Sequence, residues 1–173
     1  KRTAEESIRR NANAALSAAT LITTTKLRNF DGLSRKKVQD YAIWHIRSIA
    51  CQHQSTSLGG WGETWQSTLW AATAGQAGWL LWDRLSEAER GYVAAMVEGE
   101  ANAAARRGPR YFRDRAGTEI SPGNSKADEV SWDLLAPTLA LAMMPKHKNA
   151  KIWKESAIAL SLAAFSRPGD LTK

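Results

Sequence analysis

The stretch Trp65-Gln66-Ser67-Thr68-Leu69-Trp70-Ala71-Ala72-Thr73-Ala74-Gly75-Gln76-Ala77-Gly78-Trp79-Leu80-Leu81-Trp82-Asp83-Arg84-Leu85-Ser86-Glu87-Ala88-Glu89 decides the fold class. Its apolar residues recur at helical spacing, with no alternation of β-branched residues. Ala71, Ala72, Ala74, Gly75, Ala77 and Gly78 are small enough to let a neighbouring helix come close. That packing must offset a propensity cost of about 1 kcal/mol per interior Gly. Trp79 and Trp82 continue the apolar stripe and are expected in the core. Ser86 through Glu89 forms a capping box, so one helix, about Glu63 to Arg84, ends here and another begins.

Outward from this segment, Ala-rich helical patterns alternate with breakers, and the chain reads as all-α. Helices are expected at about Thr3 to Leu27, at Ser34 (as cap) to His53, and from Ser86 to Arg107. A second box, Ser125 to Asp128, starts a helix to Met144, and another covers Asn149 to Ser166. The six helices form three antiparallel hairpins, because connections one to two, three to four and five to six are short. The two longer connections, Ser57 to Gly62 and Gly108 to Asn124, then fall on one rim, where helices three and five begin. A rigid helical scaffold usually carries its site on such loops.

With 173 residues, 43% hydrophobic and 24% charged, the chain suits a single helical domain over 1–173 rather than a disordered one. The net charge of +7 divides into +6 over 1–60, −4 over 61–100 and +5 over 101–173. An acidic block thus interrupts the basic stripe that nucleic-acid binding requires, and nucleic acid is not the expected partner. Cys51, the only cysteine, excludes an internal disulfide and a cysteine-based metal site, and reads as a small buried hydrophobe. No apolar run is long enough to span a membrane, since Leu135 to Met144 is short and contains Pro137. The start at Lys1 without Met and the stop just past a helical pattern suggest a processed or excised piece.

Three groups on the long-loop rim carry candidate chemistry. In Gly59-Gly60-Trp61-Gly62-Glu63-Thr64-Trp65, helical winding from Trp61 would put both indoles on one face, with Glu63 nearby and Gln66 and Trp70 aligned below. Indole faces stack on sugar rings, and a carboxylate and an amide supply oriented hydrogen bonds. In Gly123 through Asp133, Asn124, Lys126 and Asp128 are candidate polar contacts, although Asp128 also fits a reciprocal cap. Glu129 and Asp133 lie four apart on one face, a like-charge pair that raises one carboxyl pKa unless a cation intervenes. In Arg106 through Arg115, five arginines with Tyr111 and Phe112 offer a clamp for carboxylate or phosphate, Arg110 and Arg113 among them. His53 falls on the same rim and can shuttle a proton, whereas His45 and His147 have no such company. No His-x-x-x-His pair, dense carboxylate cluster, Walker loop or Gly-x-Ser-x-Gly is present, so neither metal nor cofactor is implied.

The Trp65 to Ser86 block and the Gly123 to Glu129 block running into Trp132-Asp133 resemble part of an (α/α) toroid. This is the stacked-hairpin barrel common among bacterial secreted glycoside hydrolases and polysaccharide lyases. The resemblance covers about residues 60 to 170, and three hairpins would make half of a six-hairpin ring. It implies a carbohydrate partner, in a secreted or cell-envelope setting, and cleavage of glycosidic bonds. Trp61, Trp65 and Tyr111 would then be the sugar platform, and Glu63 with Glu129, or Asp133, the acid/base pair. Under a lyase reading, Tyr111 or His53 takes the proton while arginines neutralise a uronate, and the basic balance favours an acidic polysaccharide. The alternative is a noncatalytic helical-repeat module binding a glycan or a protein.

Overall fold

The structure, a computed structural model, describes residues 2–26, 28–120 and 125–165. Those residues form six α-helices: α1 Arg2–Thr24, α2 Arg35–Ala50, α3 Ser67–Leu80, α4 Glu87–Arg107, α5 Ala127–Met143 and α6 Ala150–Ala164. The fold is all-α. Its only sheet among the described residues is a hairpin of β1 Asn29–Phe30 and β2 Leu33–Ser34. Asp31 and Gly32, both at positive φ, make its two-residue turn, which Asp-Gly permits and the helix-breaker reading of this stretch did not anticipate.

Helices α1 and α2, α3 and α4, and α5 and α6 pack as pairs, and α3 also packs against both α1 and α5. Side-chain bonds fix their directions. Thr68 at the start of α3 meets Glu100 and Arg107 near the end of α4, and Ser125 just before α5 donates to the Ala163 carbonyl near the end of α6. One cavity joins Ser7 and Asn11 of α1 to Ser48 and Gln52 around the end of α2. Each pair is therefore antiparallel, and α1, α3 and α5 begin at a common rim.

The core runs through α1 to α5 around the small residues of α3, as their spacing predicts. A Cβ on Gly75 would lie 2.6 Å from Val97 Cγ2 and 2.8 Å from Leu139 Cδ2, so only glycine admits α4 and α5 this close. Leu81, rather than Trp79, extends the inward series of Ala74, Ala77 and Gly78. Trp79 is therefore half exposed, contrary to its expected place in the core. A short 3-10 turn at Trp82–Arg84 follows, and Trp82 packs against the core with the Arg90 guanidinium 5.9 Å from its ring. Cys51 is only partly buried, because α2 ends at Ala50 and leaves it at the cap.

The caps separate the two boxes read from sequence. Ser86 and Glu89 bond reciprocally as expected, and Ser34 accepts from the Lys37 amide. At α5 no box forms: Ser125 Oγ is spent on the Ala163 carbonyl, Lys126 is the cap residue, and Asp128 is exposed. No helix of the described residues is long and apolar enough to cross a membrane.

Candidate functional site

The rim is built on a carboxylate that sequence reading passed over. Glu100 lies in the inward stripe of α4 with Val93, Met96, Val97 and Ala104, and is fully buried. Its Oε1 accepts from the Glu63 amide at 2.7 Å and meets His53 Nε2 at 3.2 Å, while Oε2 accepts from Ser67 Oγ at 2.8 Å and Thr68 Oγ1 at 3.2 Å. The Ser55 amide donates to His53 Nδ1, so the ring hydrogen sits on Nε2 and points at Glu100. Burial pushes the Glu100 carboxyl up, but the hydrogen bonds from His53, the Glu63 amide and Ser67 outweigh it and hold the pKa below the ordinary carboxylate value.

That anchor sets the shape of the glycine loop. Gly62 has φ +144, and a Cβ there would lie 2.6 Å from His53 Nε2. Glu63 follows at φ 49, a left-handed conformation that is costly for a side chain with a Cβ. Helical winding therefore starts at Ser67, not at Glu63, and the common face expected for Trp61 and Trp65 does not form. Trp61 turns inward, edge-on to His53 at 4.8 Å, with its indole N–H donated to the Ile49 carbonyl at 2.9 Å. Trp65 points outward, 57% exposed, and meets Trp132 of α5 edge-to-face at 5.7 Å. Gln66 is the cap residue of α3 without a side-chain cap bond.

The carboxylates of α5 belong to an arginine network. Asp133 is buried and bonded by two guanidinium groups, Arg107 (2.7 and 3.2 Å) and Arg110 (2.6 and 3.1 Å). Arg110 also reaches Glu129 at 3.3 Å, and Lys126 lies 3.5 Å from the same carboxylate. The crowding of Glu129 and Asp133 thus resolves through a cation between them. Burial lowers the Arg110 pKa, but Asp133 and then Glu129 overcome it and raise the value above that of ordinary arginine. Arg107 also donates to Thr68 Oγ1 at 3.3 Å, which joins this network to the Glu100 anchor.

Four of the five arginines expected as a clamp are consequently occupied from within the chain, and Arg115 is exposed. Arg106 pairs with Glu63 at 2.7 Å, and Arg113 bonds the Gly117 carbonyl and Glu119 in its own loop. Tyr111 is partly buried and bridges to Ser125 through its backbone. The contacts bring Glu63, His53, Trp65, Arg110, Lys126, Glu129 and Asp133 to one rim, whereas Arg113 turns back on its loop. Asn124 lies outside the described residues. Of the other two histidines, His147 stacks on Trp153 and lies 3.4 Å from Glu98, and His45 is wedged between the Tyr41 and Trp44 rings. Among the described residues, no three His, Cys, Asp or Glu side chains gather as a metal site would require.

A cavity of about 510 Å³ opens on the same rim, between the start of α1, the end of α2 and the glycine loop. Trp44, half exposed, and Trp61 supply its indoles. Ser7, Asn11, Ser48, Gln52 and Ser57 supply hydroxyls and amides, Ile8, Ile49 and Leu58 apolar surface, and Gly59 and Gly60 backbone. Among the described residues, no ionisable side chain lines it. Trp44 and Glu100 are the residues sequence reading missed; a carboxylate inside the apolar period of α4 was the legible signal for Glu100, and Trp44 had none. Compared with known proteins, the chain matches no protein-family model, no curated protein and no solved structure.

Proposed function

We propose that this chain binds carbohydrate on the rim where α1, α3 and α5 begin, with a segment of neutral polysaccharide seated in the Trp44–Trp61 cavity. The observation that carries the reading is the lining: two indoles flanked by hydroxyls and amides, with no charge among the described residues. Sugar rings offer apolar C–H faces to indoles and hydroxyls to neutral donors and acceptors, and binding pockets commonly pair apolar walls with a few placed polar groups. A neutral glycan replaces the acidic one favoured by overall charge, because the rim arginines are bonded to the chain's own carboxylates. The stacking of successive hairpins supports a toroid-like architecture, and such a binder belongs where polysaccharide is met, secreted or at the cell envelope.

A second reading, glycosidic cleavage, is favoured by Glu63. Its carboxylate is half exposed, two residues from the cavity wall, on backbone held in a strained conformation by a buried anchor. Glu129 would be its partner, while Asp133, enclosed by two guanidiniums, would serve as support. One experiment tests both readings: the protein is incubated with a panel of neutral polysaccharides, scoring retention and released products. Binding weakened by Trp44→Ala without products supports the module. Product formation lost in Glu63→Gln and Glu129→Gln, with binding kept, supports the enzyme. No retention on any neutral glycan ends both readings.

A further inference from the structure

We infer that the rim carries a second aromatic subsite, Trp65 with Trp132, and that the ligand is an oligosaccharide chain long enough to occupy it together with the Trp44–Trp61 cavity. This rests on the carbohydrate reading above and extends it to ligand length. The cavity lies where hairpins α1/α2 and α3/α4 adjoin, and the indole pair lies where α3/α4 and α5/α6 adjoin. Both open on the same rim. Trp61 and Trp65 are four residues apart, so their Cα atoms are separated by no more than about 14 Å, within reach of a short sugar chain.

The second subsite is held rigidly. The Trp65 carbonyl accepts from Arg110 Nη2 at 3.4 Å, and Trp132 stands on α5 one residue from the doubly clamped Asp133. An interplanar angle of 70° keeps the indoles from covering each other face to face. Between the two subsites the chain carries the exposed Glu63–Arg106 pair, an acceptor and donor set suited to sugar hydroxyls. Phosphate is the poorer match, since Arg107, Arg110 and Lys126 are already paired with Asp133 and Glu129. The arrangement fits a neutral polymer lying across the ends of the helices, not a single sugar in a pit.

The experiment uses the neutral polysaccharide best retained in the panel, cut into a ladder of purified oligomers and titrated by calorimetry, with oligo-dT as a second probe. Affinity should rise with chain length and then level off. Trp65→Ala and Trp132→Ala should each weaken long oligomers roughly three- to tenfold, with the shortest binding oligomer unaffected. Trp65→Phe should recover part of the loss, and unchanged circular dichroism excludes misfolding as its cause. Length-independent binding, or Trp65 and Trp132 variants equal to wild type on long oligomers while Trp44→Ala still weakens them, overturns the second subsite and leaves the first. Oligo-dT binding lost in the Trp65 variant overturns the ligand class. Absence of binding to every glycan removes both proposals.

Discussion

Replacing Glu100 tests the construction of the rim most directly. In Glu100→Ala, the Glu63 amide, His53 Nε2–H and the Thr68 hydroxyl lose their acceptor inside a closed interior, while the Ser67 hydroxyl can turn to the Thr64 carbonyl 3.1 Å away. Three stranded donors at about 1 kcal/mol each, the lower end of the usual range, with a small cavity added, give a loss of about 4 kcal/mol. For a chain of this length that is a fall of roughly 8–16 °C in melting temperature. Glu100→Gln keeps an acceptor for part of the set and should cost about 1–2 kcal/mol. The folded carboxyl titrates below its ordinary value, so its stabilisation is complete above about pH 4.3, the unfolded value, and is lost as pH falls through the folded one. The gap between wild type and Glu100→Gln should therefore narrow on acidification below about pH 4. Urea unfolding followed by circular dichroism and tryptophan fluorescence, from neutral pH to about pH 3, measures both effects. An alanine variant within about 1 kcal/mol of wild type, or a glutamine gap that widens in acid, would refute the anchor.

His45→Leu should stabilise the protein, because both ring nitrogens are buried without a hydrogen-bond partner among the described residues. Burial lowers the His45 pKa, so wild type holds this contribution above about pH 6.5 and loses it as pH falls through the folded value. The advantage of Leu in urea midpoint must then grow from pH 7.5 to 5.5, and a constant difference would count against the assignment. Gly75→Ala gains about 1 kcal/mol of helix propensity but drives a methyl into Val97 and Leu139, at about 1–3 kcal/mol. A net loss near 1 kcal/mol is expected, and a raised melting temperature would show that α4 and α5 yield at this point. Glu63→Gly relieves the left-handed conformation and forfeits only an exposed ion pair. Its melting temperature should stay level or rise, and a clear drop would mean that the Arg106 contact matters more than its exposure suggests.

The hairpin order was legible because it depends on local signals: Ser34, the Ser86–Glu89 box and the glycine loop punctuate the chain between helices. The shared rim followed from loop lengths. What failed required knowledge of partners distant in sequence. Winding from Trp61 agrees with every local preference, yet Glu100, 37 residues on, captures the Glu63 amide and holds that residue out of the helical region. The Ser125 box is lost for the same kind of reason, since a carbonyl 38 residues away takes the hydroxyl. Glu129 and Asp133 looked like a crowded like-charge pair because the cation between them, Arg110, arrives from a different connection. Trp44 is exposed because of how α1 and the glycine loop meet α2, which no spacing within α2 reveals.

The same geometry explains why charge is abundant on this rim and why its cations are paired within the chain. Helix dipoles favour cations in the last turn and anions in the first, and α4 ends with Arg106 and Arg107 while α5 begins with Asp128 and Glu129. Antiparallel packing sets the end of one helix beside the start of the next. Charges suited to separate helix ends then face each other across helices, and Arg107 and Arg110 close on Asp133 and Glu129. Pairs of this kind fix the register of α4 against α5 and use up the groups that would otherwise attract an ionic ligand. Under the carbohydrate proposal, recognition would fall to the uncharged part of the rim, where α2 ends in Ile49 and Ala50 and Trp44 and Trp61 line one cavity with the glycine loop. An ionic ligand would have to displace intramolecular partners already at bonding distance, whereas a neutral ring has only water to displace from the indoles.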